Sequence, residues 1–175
     1  MLVPAIRYKD ILLKKFSEVV YSEDYFLYYG YPYGFDLPEI KDEECRWQWA
    51  VVDKSKATEE DSVIGYLSYR VDPLSDMIHQ FGLYSFDKGN LIVGHDLFKK
   101  LEELISKHHR VEWRAIDCNP VVPSYIRFCK KHNGNIIKLT DVTKDMNGNY
   151  IGSYIFEIIN PDKWLKLNFS EGRLK

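Results

Sequence analysis

Hydrophobic and polar residues follow two rhythms along this chain, and the switches between them lay out its elements. From Asp10 the apolar residues Leu12, Leu13, Phe16, Val19 and Val20 recur at helical spacing, which predicts an amphipathic helix capped by Asp10. Residues 2–8 (LVPAIRY) before it predict a first strand, with Pro4 suited to an edge. The period becomes two in RWQWAVVD, predicting a strand over Arg46–Asp53, and stays β-like in VIGYLSYRVD and MIHQFGLYSFD. Leu91–His109 is the clearest helix, with Asn90 as N-cap and Val93, Leu97, Leu101, Leu104 and Ile105 on one face. The cations at its end suit the helix dipole, which accounts for His108 and His109 without a metal. A fifth strand, Val111–Asp117, precedes a helix that Pro120 and Pro123 delay to about Ser124. That helix carries Tyr125, Phe128 and Cys129 on one face and closes at Asn133-Gly134. NIIKLTDVTK and YIGSYIFEII end the pattern as two strands joined through Asn147-Gly148.

The resulting order, β-α-α-β-β-β-α-β-α-β-β, predicts an α/β chain with a mixed sheet and helices on both faces. Residues 1–159 form a single domain in this reading, and 160–175 an appendage anchored by Trp164, Leu165 and Phe169. A net charge of −2 gives no electrostatic case for nucleic acid or an acidic membrane. No signal peptide or membrane span is legible, and three cysteines without ligand spacing give no metal site. The expectation is a cytoplasmic protein with reduced thiols. Thirteen Tyr and four Trp exceed what a core needs, so the surplus fits a cleft wall or a subunit interface, the latter compatible with a homodimer. Much of the surplus lies in Tyr21–Phe35, read either as an aromatic helix packed on the sheet or as one wall of an acceptor pocket.

The loop Lys88-Gly89-Asn90 turns a strand straight into the long helix. Free N–H groups at a helix start suit an anion such as pyrophosphate, although any such turn shares that feature. From Val63 to Gly134 the chain resembles the GNAT superfamily of acyl-CoA-dependent N-acetyltransferases. The resemblance rests on Gly89-Asn90-Leu91-Ile92-Val93-Gly94, DLFKKLEELI, VEWRAIDCN and SYIRFCKKHNG taken in that order. Gly94 meets the last position of the family's loop, Q/R-x-x-G-x-G/A, while Gly89 and Ile92 stand at the first and middle ones.

The resemblance implies parallel fourth and fifth strands that splay apart, with acetyl-CoA in the gap and a small-molecule or peptide amine as acceptor. It implies cofactor contacts at Tyr84, Ser85, Lys88, Gly89, Asn90, Leu91, Ile92, Val93, Gly94 and Asn119, with an oxyanion donor on the backbone near Tyr84 and Ser85. Amine acetylation needs a base and an acid. His79 on the fourth strand is the candidate base, with Asp117 second. The family's acid position falls on Cys129. Tyr125, one turn earlier and nearer the expected mouth of the cleft, is the preferred donor because its phenol stays protonated at neutral pH. The departures in the loop and at the acid position leave a second reading open, a GNAT-like binding module without catalysis.

Overall fold

The computed structural model describes residues 1–30 and 36–160. Its core is one seven-stranded sheet in the order β1-β2-β3-β4-β5-β7-β6. These strands are β1 (Leu2–Pro4), β2 (Arg46–Val52), β3 (Val63–Asp72), β4 (Met77–Ser85), β5 (Arg110–Ile116), β6 (Asn135–Lys144) and β7 (Tyr150–Ile159). Every neighbouring pair is antiparallel except β4 and β5, which run parallel as the sequence predicts. The helices are α1 (Lys9–Val19), α2 (Glu23–Tyr25), α3 (Glu59–Ser62), α4 (Leu91–Lys107) and α5 (Val122–Lys131), and a π turn, Phe26–Gly30, extends α2. Among the described residues no helix is long and apolar enough to cross a membrane.

Alternation sorts the strand side chains onto two faces. On one, α4 and α5 bury Leu97, Leu101, Leu104, Phe128 and Cys129 against Leu67, Ile78, Trp113 and Phe156. On the other, α1 and α2 bury Leu12, Phe16 and Tyr25 against Ala50, Val52, Tyr66 and Tyr84. At the far edge β6 is largely exposed, and its register breaks between Leu139 and Thr143, where Asp141 takes φ +53°.

Several boundaries differ from the sequence reading for local reasons. The first strand stops at Pro4 and Ala5–Tyr8 coil into a 3₁₀ turn, so residues 5–8 leave the sheet early. That turn runs directly into α1, which places Asp10 in the first turn and Tyr8 at the N-cap. Helix α5 begins at Val122, not Ser124, because Pro123 sits in the first turn, where its missing N–H has no helical partner to lose. The β2–β3 connection holds α3, capped by Thr58, whose side chain accepts from the Asp61 N–H at 3.0 Å. The proposed appendage, apart from Asn160, lies outside the described residues, as do Tyr31 and Tyr33.

Candidate active site

The parallel pair holds only over part of its length. Met77, Ile78 and Phe81 pair with Arg110, Val111 and Trp113, and no pairing joins the two strands beyond that. Strand β4 continues to Ser85 on β3, and β5 continues to Ile116 on β7, so the two strands part after Phe81 and Trp113. The cause is a bulge: Gln80 takes φ +52°, and the register shifts against both β3 and β5 across it. An extra residue in one strand bends it and adds twist. Beyond the bulge the β4 backbone faces a cleft instead of a strand.

The open space continues past the strand. A side-chain carbon built at Gly82, Gly89 or Gly94 meets no atom within 4 Å. Gly82 is the first β4 residue past the last pair with β5 and went unnoticed in the sequence, although a glycine inside a strand often marks a close backbone or ligand approach. Gly89 takes φ +81°, so the turn into α4 favours glycine there. Ser85 Oγ donates to the Asp87 carbonyl at 2.8 Å, and Asn90 Nδ2 donates to Asp87 Oδ2 at 2.9 Å. Asn90 caps α4, accepting from the Ile92 N–H at 2.9 Å. Leu91 is exposed and Val93 is buried. The loop is thus held by its own side chains, and of the first helical N–H groups that of Ile92 is already engaged. Asp96, near the start of α4, pairs with the Met1 amino group at 2.8 Å.

Opposite this loop stands the end of β5. The Asn119 side chain accepts from the Val121 N–H at 3.1 Å and shapes the turn into α5. Asp117 pairs with Lys138 at 3.7 Å, and Cys118 is exposed. Although its side chain reaches solvent, partial desolvation beside the strand end, then the charge of Asp117, pushes the Cys118 thiol up.

The tyrosine-rich segment spans the two walls. Ser22 caps α2, accepting from the Tyr25 N–H at 3.2 Å. Lys88 pairs with Asp24, and Glu23 Oε1 accepts from the Met146 N–H at 3.3 Å, in the β6–β7 turn. Tyr25 is core: it is 1% exposed, its hydroxyl donates to the Asp36 carbonyl at 2.6 Å, and burial pushes its phenol up to about 12. Tyr28 lies on the π turn, which packs against both β4 and β5. Burial raises it first, then Cys118 and Asp24. Tyr25 thus meets the first reading of this segment, an aromatic helix packed on the sheet.

Of the four proton-transfer candidates from the sequence, Asp117 lies at the end of β5, and the other three do not come together at this cleft. His79 pairs across β3 with Arg70, before the bulge and within the closed part of the sheet. Tyr125 is not at the mouth: it is 5% exposed, with its ring centroid 5.7 Å from Trp113, 5.5 Å from Phe156 and 5.8 Å from Phe98, and burial raises its phenol. It sits beneath the point where the strands part, since Trp113 is the last β5 residue paired with β4. Cys129 is fully buried, its Sγ donates to the Asn135 carbonyl at 3.3 Å, and burial raises its thiol. Gly82, the first β4 residue past the pairing with β5, belongs to no motif in the sequence.

A bulged strand parting from its parallel neighbour over a loop–helix turn, with helices on both faces, is the fold of the GNAT N-acetyltransferases. Solved structures agree. An N-acetyltransferase from Staphylococcus aureus Mu50 superposes with a TM-score of 0.61 over 91% of this chain and 97% of its own, at 14% identity. A probable GNAT-family acetyltransferase from Chromobacterium violaceum ATCC 12472 gives 0.57 over 94% and 87%, at 14% identity. NAA60 from Arabidopsis thaliana in complex with acetyl-CoA gives 0.51 over 70% and 80%, at 18% identity. No family model matches the sequence, and no curated protein matches it.

Proposed function

We propose that this protein is an acetyl-CoA-dependent N-acetyltransferase acting on the primary amine of a small molecule or peptide. The observation that carries this reading is the parting of β4 from β5 at the bulge at Gln80, with no atom within 4 Å of a side-chain carbon built at Gly82, Gly89 or Gly94. The residues fit the group. The α4 start offers backbone N–H groups and the positive end of a helix dipole to pyrophosphate, with Lys88 beside it. When bound, acetyl-CoA supplies an activated acyl group. The β4 N–H groups beyond Phe81 that face the cleft stabilise negative charge on the carbonyl oxygen, and the cleft walls hold amine and thioester together.

Tyr28 is the phenol we assign to give a proton to the departing sulfur, since it lies on the π turn packed against both β4 and β5 and burial raises its pKa. Glu23, accepting from the Met146 N–H, stands beside the Asp145 turn, and the two carboxylates favour a cationic acceptor. The test is calorimetry and thermal shift with acetyl-CoA, repeated on Gly94→Trp. Ligand at 100 times Kd should stabilise the wild type by roughly 2.7 kcal/mol. The variant, its new side chain filling the space beside α4, should lose that response and keep its fold.

The second reading, a binding module without catalysis, is favoured by the engagement of the loop's own groups: Ile92 N–H with Asn90 and Lys88 with Asp24. Acetyl-CoA binding without thiol release, across a panel of primary amines, would select it.

A further inference from the structure

We propose a second binding site, at the open edge of β2, for a small ligand bearing a planar organic cation, a guanidinium group. A groove of about 460 Å³ lies there, between Pro4–Ile6 and Ile40–Trp49, within the size range of small-molecule sites. Its origin is the early end of β1. Pro4 pairs with Trp49, and the chain then leaves as a 3₁₀ turn, so Arg46–Gln48 lose their strand neighbour on that side. The loop before β2 returns along this edge, held by Gln48 Nε2 donating to the Lys41 carbonyl at 2.9 Å. Ala5 and Ile40, both buried, line it from the α1 face, while Trp47 and Trp49 stand on the α4 face, so the groove wraps the open edge of β2.

The chemistry of the walls selects the ligand. Trp47 is 52% exposed, and its ring lies nearly parallel to that of Trp49, centroids 6.4 Å apart. Trp49 already holds a cation, the Lys100 ammonium, 4.7 Å from its centroid. An exposed indole attracts a second cation by the same quadrupole. The acidic residues of the groove divide into two kinds. Glu43 is neutralised by Arg70 at 2.9 Å and Arg46 at 3.4 Å, and Lys41 is taken by Glu39 at 2.9 Å. Asp42 and Glu44 make no ion pair among the described residues, so the uncompensated charge of the groove is theirs. A guanidinium stacks flat on an indole while its in-plane N–H groups reach carboxylates, and it loses less hydration than an ammonium.

The site is separate from the acyl-transfer cleft. Strands β2 and β4 are both antiparallel to β3 and so run the same way. The groove lies at the start of β2 and the cleft at the end of β4, at opposite ends of the sheet. The inference therefore does not depend on the proposed activity.

The test is titration of the intact chain with N-acetyl-arginine amide, read by calorimetry and tryptophan fluorescence, beside the neutral isostere N-acetyl-citrulline amide. Saturable binding of the arginine compound is expected, at least about tenfold tighter than that of the citrulline compound. Trp47→Leu, and the pair Asp42→Asn with Glu44→Gln, should each weaken it by roughly three- to tenfold, while Trp47→Phe restores most of it. Acetyl-CoA binding, measured in the same variants, should not move. Equal affinity for citrulline, indifference to Trp47→Leu, or no saturation by about 20 mM ligand overturns the proposal. So does tenfold tighter binding of Ala-Ala-Arg-Ala-Ala amide than of the capped amino acid, which would assign the groove to peptide docking.

Discussion

Each face of the sheet carries an aromatic cluster, and the two are built differently. Under α4 and α5, Trp113 stacks on Phe156 at 5.4 Å and meets Tyr125 and Phe128 edge-on, surrounded by Leu97, Leu101 and Val111. Under α1 and α2, Phe16 packs edge-on against Tyr25 and Tyr66, and the phenols find polar partners: Tyr25 with the Asp36 carbonyl and Tyr66 with Gln48 Oε1 at 2.7 Å. The first cluster excludes water and fixes the apex from which β4 and β5 part. The second ties a polar segment to the sheet and leads into the π turn packed on β4 and β5. Aromatic residues therefore do different work according to what their edges meet: apolar neighbours give stability, and polar anchorage gives a shaped wall.

Variants can break or sharpen that division. The largest effect belongs to the first cluster. Trp113→Ala should destabilise the fold by about 3–5 kcal/mol in chemical denaturation, because the hole is walled by helices and strands that cannot collapse into it. A loss below about 1 kcal/mol would mean the cluster is not the mechanical centre.

Next comes the contrast between two phenols. Tyr28→Phe should lower kcat for amine acetylation at least roughly tenfold, about 1.4 kcal/mol in barrier, with little change in Tm. Tyr125→Phe should leave kcat within about threefold and shift stability by about 1 kcal/mol or less. The opposite ranking would move proton donation to the floor of the cleft.

A smaller effect follows from acid. In the folded chain Asp87 is held below its usual value of 3.8, chiefly by Asn90, and Asp145 likewise, chiefly by Asn149. Groups lowered on folding stabilise the native state above their unfolded pKa and lose that contribution as pH falls through the folded value. Amide exchange at residues 87–92 and 145–149 should accelerate below about pH 4 while the Trp113 cluster stays protected. Uniform acceleration across the chain would count against a loosely anchored cleft. Smallest is Asp24→Asn: the exposed pair with Lys88 should add nothing resolvable to Tm. Freeing Lys88 should nonetheless tighten acetyl-CoA binding by about two- to fivefold, as calorimetry would read.

Much of the frame was legible from periodicity. The strands from Arg46 to Ser85, the cap at Asn90 and the parallel β4–β5 unit follow from side-chain pattern and turn chemistry, which act locally. The site was less legible. Gln80 gives no sign that it will adopt φ +52°, because a bulge is set by both neighbouring strands rather than by the residue itself. The depth of Tyr125 was written in its spacing: sharing a face with Cys129, it shares that residue's burial. Tyr28 reaches the strands only through the fold, since it follows α2 on the π turn that packs on β4 and β5, so no spacing could pair it with them.

The irregular outer strand has a consequence for how copies of this chain behave when crowded. Strand β6 ends the sheet with an exposed row of backbone groups, the kind of edge on which chains add to one another and aggregate. Its ladder is interrupted between Leu139 and Thr143, with Asp141 twisted to φ +53° and Lys138 and Lys144 to either side. A strand arriving from another molecule could zip along Asn135–Leu139 but would meet a bend and charges before reaching the hairpin turn. Straightening that kink, with Asp141 and Lys144 replaced by Val, should turn a soluble edge into a nucleus for fibrils.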